Sequence, residues 1–392
     1  MRLPLRRGSR GERTAVWDAI TEAGAPIAAL DLTACEHNIA EMRSRANGLP
    51  IRLASKSIRV RGLIDKVLAE PGYHGVLAYS AAEARWLAEH GVTDVLVAYP
   101  TVDAATIGAV AADATLRERV TFMVDLPEHL QLIERAADGQ SVRVCLDVDS
   151  SLDLGPVHLG VHRSSVHSPE QAGEFARIAA GFNSAQLVGL MFYDAQIAGM
   201  QDSSAAIRLV KRKSADDLRV RRQEVRAAVE QHAELELVNA GGTGSLHADW
   251  DSSVTELAAG SGLFTPTLFD GYDDTDLHPA AFFGTPVVRK PRRDVAVAFS
   301  GGYAASGVAG ASRSPRPVHP GGLQLIRTEG AGEVQTPLRG KAAQSLGLGD
   351  LVWFRHAKAG EMCERFNEIV LVCDGAIVDR MPTYRGEGQN FG

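Results

Sequence analysis

Leu235-Glu-Leu-Val-Asn-Ala-Gly-Gly-Thr-Gly-Ser245 sets a short apolar run directly against a glycine-rich turn. The run reads as a buried strand. The turn exposes several backbone N–H groups in one concavity, and a following helix N-terminus would add positive potential; together these make a phosphate cradle. A plain tight turn is the bland alternative. No Lys-Ser/Thr pair follows, so the loop is not of the Walker type. It ends a series of βα units instead of opening one, so it is not a dinucleotide fingerprint.

Upstream, β-branched runs alternate with helical patterns from Pro26 to about Gly262. The runs begin at Ile27, Ile51, Gly75, Asp94, Val120, Val142, Leu187 and Leu235. Strands alternating with helices of this length imply a parallel sheet. About eight units in ~240 residues predict a closed (β/α)8 barrel. Ile27–Leu32 is read as its first strand and Leu235–Asn239 as its last.

Downstream of Gly262 the texture changes. Seven prolines lie between Pro266 and Pro320, and short alternating runs begin at Val295, Gly322, Leu351, Ile369 and Ala376. This predicts a mostly antiparallel β domain. The expected organisation is an N-terminal arm over 1–25 packing with the C-terminal domain, an α/β barrel over 26–262 and a β domain over 263–392 that contributes to the active site.

Of 392 residues, 45% are hydrophobic and 23% charged, as in globular chains. A net charge of -7 and the lack of a dense Lys/Arg stripe argue against nucleic acid. No apolar run reaches the ~18 residues of a membrane span. The stretch to Arg13 carries five arginines with no apolar run behind them, so it is not read as a secretory signal. Four scattered cysteines give no disulfide framework, which points to a reducing cytoplasm.

Barrel chemistry sits where strands end. Leu53-Ala-Ser-Lys-Ser57 puts a lysine at the end of an apolar strand. Desolvation there would favour a Schiff-base role; a structural ion pair across the mouth is the alternative. Ala259-Gly-Ser-Gly262 could complete the phosphate shell, and Tyr193 and Tyr272 could face a flat ring. Near the C-terminus, His356, Glu361, Cys363 and Glu364 fall within nine positions. That set can ligate a zinc-type ion. The spacing equally suits a loop histidine and a small buried thiol.

Taken in order, these motifs resemble the alanine-racemase-type (fold type III) pyridoxal-phosphate enzymes over roughly Pro26 to Val378. The C-terminal region is most similar to the D-threonine aldolase and D-serine dehydratase group. The resemblance implies that Lys56 binds the aldehyde of pyridoxal 5'-phosphate. It implies that Gly241, Gly242, Thr243 and Gly244 hold the phosphate with Ser261 and Gly262, that Tyr193 lies near the ring, and that Tyr272 lies near ring or phosphate. It further implies a divalent metal (Zn or Mn) near the substrate hydroxyl, on Cys363 with His356 or Glu361.

Three departures stand out. The group separates its His and Cys/Asp ligands by one residue, whereas six separate His356 from Cys363, with Glu361 in the usual His place. The group usually reads Pro-His-x-Lys-Thr around the lysine, where this chain has Leu-Ala-Ser-Lys-Ser. An expected Arg is His158 in His158-Leu-Gly-Val161, with Arg163 following as its substitute.

The implied activity is a lyase on a small D-β-hydroxy amino acid, either retro-aldol cleavage or dehydration to a keto acid, in a homodimer. The alternatives are an amino-acid racemase of the same fold, needing a second base such as Tyr303 or Tyr384, and a non-catalytic cofactor carrier. A ~130-residue C-terminal domain argues against the carrier. A barrel binding a phosphorylated sugar without cofactor is the weakest alternative.

Overall fold

The computed structural model describes residues 16–20, 24–155, 157–273 and 275–392. The five arginines of the basic stretch lie outside these residues.

Eight parallel strands close a barrel: Ile51–Ala54, Tyr73–Ala78, Val95–Val97, Val120–Val124, Val142–Asp147, Ala185–Phe192, Leu237–Ala240 and Glu256–Ala259. The predicted barrel and trailing antiparallel sheet are both present. Helices between the strands start where the sequence offers a cap. Ser80 Oγ accepts from Glu83 N ahead of Ala81–Glu89, and Ser168 Oγ accepts from Gln171 N ahead of Pro169–Ala179. Ser204 caps the longest helix, Ala205–Val229, whose Leu218, Val225 and Val229 are buried.

The strand count comes out right with two strands exchanged. Ile27–Asp31, expected to open the barrel, pairs antiparallel with Ala281–Arg292 and parallel with Glu368–Cys373 in the second sheet. Glu256–Ala259, which the pattern did not reveal, closes the barrel between Leu237–Ala240 and Ile51–Ala54. Its sequence, Glu-Leu-Ala-Ala, has no β-branched residue and little local strand preference. The need to close the barrel makes it a strand. Lys56 therefore follows the first barrel strand, the glycine-rich turn follows the seventh, and Gly260-Ser-Gly262 follows the eighth.

The N-terminal end of the barrel is plugged by charge. Arg52 is 1% exposed and binds Glu256 through Nε and Nη2 at 2.6 and 2.9 Å. It also binds both Asp94 oxygens at 2.8 Å. Asn239 Nδ2 donates to Glu256 at 2.8 Å. A buried charge this well paired tolerates desolvation. Above it, Leu96, Met123, Cys145, Met191 and Leu237 pack together. The opposite end is left open for chemistry.

The second sheet has nine strands and lies antiparallel except where Ile27–Asp31 meets Glu368–Cys373. Three of its strands, Ala281–Arg292, Arg316–His319 and Gln335–Arg339, were not read from the pattern. Val16 and Ile20 of the N-terminal segment pack with Phe282, Trp353 and Val370, and Trp17 stacks on His319 at 4.6 Å. Among the described residues, no helix is long and apolar enough to cross a membrane.

Candidate active site

The open end of the barrel holds a cavity of about 490 Å³. Lys56, Tyr99, Tyr193, Gly241–Thr243 and Gly260–Ser261, each just past a barrel strand, line it together with Arg163 from the long loop after Val142–Asp147. Loops of the second sheet complete the wall with Arg313, Lys358 and Ala359.

Lys56 sits in a 3-10 turn, Ser55–Ser57, directly after Ile51–Ala54. It is exposed toward the cavity, contrary to the expectation of a desolvated amine. Its Nζ donates to the Tyr99 hydroxyl at 2.8 Å. Burial disfavours ionisation of the Tyr99 phenol, yet Lys56, Arg163 and Lys358 outweigh it and lower the pKa. Arg163 lies over the rings of Tyr193 and Tyr99, at 4.5 and 5.4 Å from their centroids. Burial raises the Tyr193 pKa, so that phenol stays neutral.

Across the cavity the two glycine turns meet. Thr243 Oγ1 accepts from Gly262 N at 3.3 Å and Gly260 N at 3.4 Å, and Ser261 Oγ donates to it at 3.2 Å. Gly242 N donates to Ser245 Oγ at 3.1 Å, and Ser245 Oγ donates to Asp194 at 3.3 Å. Burial raises the Asp194 carboxyl to about 7. Gly241 has φ +79, a conformation that side chains resist. A Cβ on Gly260 would lie 2.5 Å from Ala54 O. The turn after the seventh strand is only a three-residue 3-10 segment, Thr243–Ser245. Backbone N–H groups, not a helix dipole, would hold an anion here.

Not every candidate reaches the cavity. Gly244 and Gly262 stand behind the wall; a Cβ on Gly244 would overlap Ala198 O, and one on Gly262 would meet Met42 and Thr243. Tyr272 lines the wall and donates to Ala198 O at 2.8 Å. His158 is absent from the wall. It lies in the hairpin Leu152–Leu154/Val157–Leu159, where its Nδ1 is 2.8 Å from Asp153 and its ring stacks on His162 at 4.4 Å. The hairpin aims it sideways, while Arg163, five residues on, lines the cavity.

The expected metal set is dispersed. His356 follows the strand Leu351–Arg355, is 2% exposed, and packs edge-on to Phe264. Neither ring nitrogen makes a hydrogen bond of normal geometry. Burial, then Arg355, lowers its pKa to about 3 against a raising influence from the Ala281 backbone. Cys363 is 1% exposed within the core, and burial raises its thiol to about 12. Glu361 accepts from Ser306 N at 2.8 Å. Gly360, at φ +92, turns the chain between His356 and Cys363. That turn rotates Cys363 into the core while Glu361 points toward the Ser306 loop. The ligand atoms of His356, Glu361 and Cys363 do not fall within 4.8 Å of one another. Among the described residues, the group that does is His37, Asp276 and His278, where helix Leu32–Arg45 meets the segment after the cavity wall. Cys363, buried in the core, thus does not fit the expected ligand role, while His356 and Glu361 line one neighbouring cavity.

Sequence reasoning missed Tyr99, Arg313 and Lys358. Tyr99 ends the run Asp94-Val-Leu-Val-Ala-Tyr99, so its position after a barrel strand was the available signal. Arg313 lies in a loop of the second sheet with no motif around it, and Lys358 lies inside the stretch 356–364 that was read for metal ligands alone.

The wall suits an elongated ligand with a phosphate at one end and a carbonyl at the other. The chain matches the family model of the alanine racemase N-terminal domain over residues 30–267, and it belongs to that family. The 3-hydroxy-D-aspartate aldolase of Paracoccus denitrificans (strain Pd 1222) is 26% identical over 264 residues, 65% of this chain; the chain spans 64% of that relative's length. The crystal structure of D-threonine aldolase from Filomicrobium marinum superposes with a TM-score of 0.76 at 22% identity, covering 93% of this chain and 95% of that one. D-threo-3-hydroxyaspartate dehydratase from Delftia sp. HT23 gives 0.71 at 18%, covering 92% and 97%. These two likenesses establish a shared fold.

Proposed function

We propose that the protein is a pyridoxal-phosphate-dependent lyase acting on a small D-β-hydroxy amino acid. The observation that carries this is one cavity with Lys56 at one side and two converging glycine turns at the other. The likeness to 3-hydroxy-D-aspartate aldolase, D-threonine aldolase and D-threo-3-hydroxyaspartate dehydratase supports the substrate class.

Bound there, pyridoxal phosphate supplies an electron sink for charge at the substrate's Cα. Lys56 Nζ would be the amine that holds the cofactor's aldehyde and, once released by the substrate's amine, would move the proton at Cα. The Tyr99 hydroxyl, already its hydrogen-bond partner, orients that amine and shares its charge. The N–H groups of Thr243 and Ser261 would hold the phosphate, since those of Gly241, Gly242 and Gly260 already donate to Phe192 O, Ser245 Oγ and Thr243 Oγ1. Asp194, through Ser245, fixes the Gly242 N–H. Tyr193, under Arg163, and Tyr272 form walls for a flat ring. No step is assigned to a metal, because the candidate ligands do not converge.

A racemase needs a second base facing Lys56. Tyr384 is buried and donates to Glu83 at 2.8 Å, and Tyr303 pairs with Ser300 at 2.9 Å. Neither lines the cavity in this chain. A symmetric homodimer in the cytoplasm completes the reading. The test is a screen of D- and L-β-hydroxy amino acids, reading aldehyde and keto acid separately, on protein showing an absorbance band near ~420 nm. Lyase products from D-substrates support the proposal. Stereoinversion without either product transfers it to the racemase.

A further inference from the structure

Among the described residues, the cavity wall carries four cationic side chains, Lys56, Arg163, Arg313 and Lys358, and no carboxylate, imidazole or thiol. The two from the barrel are engaged, Lys56 with the Tyr99 hydroxyl and Arg163 over the Tyr193 and Tyr99 rings. Among the described residues, neither of the two from the second sheet forms an ion pair, though Glu361 acts on Lys358 electrostatically. The Nε of Arg313 is buried without a hydrogen-bond partner. Gly307, at φ +116, lets the chain pass beside this guanidinium; a Cβ there would lie 2.8 Å from Nε. A buried donor without a partner is costly unless something outside the chain satisfies it.

Lys358 lies on the neighbouring loop. Its Nζ donates to Ser306 Oγ at 3.3 Å, while Glu361 is held on Ser306 N and stays beyond ion-pair distance. Lys358 interacts electrostatically with Lys56, Glu361, Arg313 and Tyr99. Gly360 seats this loop on Lys56: a Cβ there would overlap the Lys56 carbonyl oxygen. The barrel position where a related chain would offer an arginine is His158, turned toward Asp153 outside the wall.

We infer that Arg313 and Lys358 form the site that binds the substrate's carboxylate, so that the second sheet, not the barrel, selects for an acid. The inference rests on the proposed amino-acid lyase. Guanidinium presents a planar fork that matches a carboxylate, and the ammonium adds a compact charge. The two cations sit beside the Cα end of a substrate held at Lys56, leaving the glycine turns to the phosphate.

The test uses the full chain loaded with pyridoxal phosphate, titrated with D-threonine and with its decarboxylated counterpart 1-aminopropan-2-ol. The cofactor's absorbance reads binding without requiring turnover. Arg313→Gln and Lys358→Gln should each raise the half-saturating concentration of D-threonine about tenfold or more, while that of the amine stays within about twofold. Arg313→Lys should recover part of the loss. An unchanged spectrum before titration shows that each variant is folded and loaded. Equal half-saturation of wild type and both variants by D-threonine overturns the assignment alone, as does equal weakening of acid and amine. A wild type that responds to no amino acid overturns the lyase reading and the assignment with it.

Discussion

The barrel side of the cavity is built from backbone and short side chains, the sheet side from long charged ones. On the barrel side, positions are set by strand ends. Lys56 and the turns at Gly241–Thr243 and Gly260–Ser261 stand where parallel strands stop, and hydrogen bonds through Thr243, Ser245 and Asp194 lock them. On the sheet side, Arg313 and Lys358 come from loops whose course depends on Gly307 and Gly360 at positive φ. Binding geometry that belongs to any phosphate-bearing ligand is placed on the rigid side. On the proposed assignment, discrimination between substrates falls to the loops. The division follows from physics: a backbone cradle needs a fixed scaffold, whereas long cations can be exchanged without disturbing a core.

The largest test of this division is Lys56→Ala. It should abolish the band near ~420 nm and reduce turnover to below about a thousandth of wild type, with the fold intact by circular dichroism. Retention of borohydride-trapped cofactor on the variant would remove Lys56 from its role.

Gly242→Val attacks the cradle. A Cβ there meets Ala198 Cβ at 2.8 Å, and the two methyls extend toward the anion's approach. Cofactor affinity should fall tenfold or more, about 1.4 kcal/mol per decade, as measured by cofactor titration. The half-saturation by substrate of the molecules that remain loaded should change little.

The two sides also answer pH in opposite directions. Burial first of all raises Glu83, Asp147 and Asp194 of the barrel to about 7. Each stays protonated in the fold while the unfolded chain ionises, so their stabilising effect is lost as pH rises from about 4 to about 7. His356, held down to about 3, stays neutral in the fold while the unfolded chain protonates. It costs stability as pH falls from about 6.5 to about 3. Asp194→Asn should therefore flatten the fall in melting temperature toward pH 7, and His356→Leu should flatten the fall on the acid side. Changes of a few degrees are expected at ~2–4 °C per kcal/mol for a chain of this size. Parallel wild-type and variant profiles would break the comparison.

Cys363→Ala is the smallest perturbation. As a core thiol it should cost about 1 kcal/mol in denaturant unfolding, and leave turnover per folded molecule and its response to chelator the same as wild type. A variant that mimics a chelated enzyme would restore Cys363 as a metal ligand.

What the sequence determined by itself is whatever rests on local pattern. The βα period, the shift to Pro- and Gly-rich short runs after Gly262, the lysine after Ile51–Ala54 and the glycine turn after Leu237–Ala240 are each legible within a dozen residues, because strand periodicity and turn chemistry are local. What only the tertiary structure decided is which distant pieces share a surface. Ile27–Asp31 looks like any buried strand, and it joins the second sheet because Ala281–Arg292 and Glu368–Cys373 offer it both edges. Glu256–Ala259 looks like no strand and is one because an open barrel edge needs a partner. His356 and Cys363 resemble a ligand pair by spacing, and the turn at Gly360 sends the thiol into the core. Arg313 and Lys358, 45 positions apart with no motif between them, meet at the cavity because two loops of one sheet fold over the same barrel mouth, a proximity set by long-range packing that no local pattern encodes.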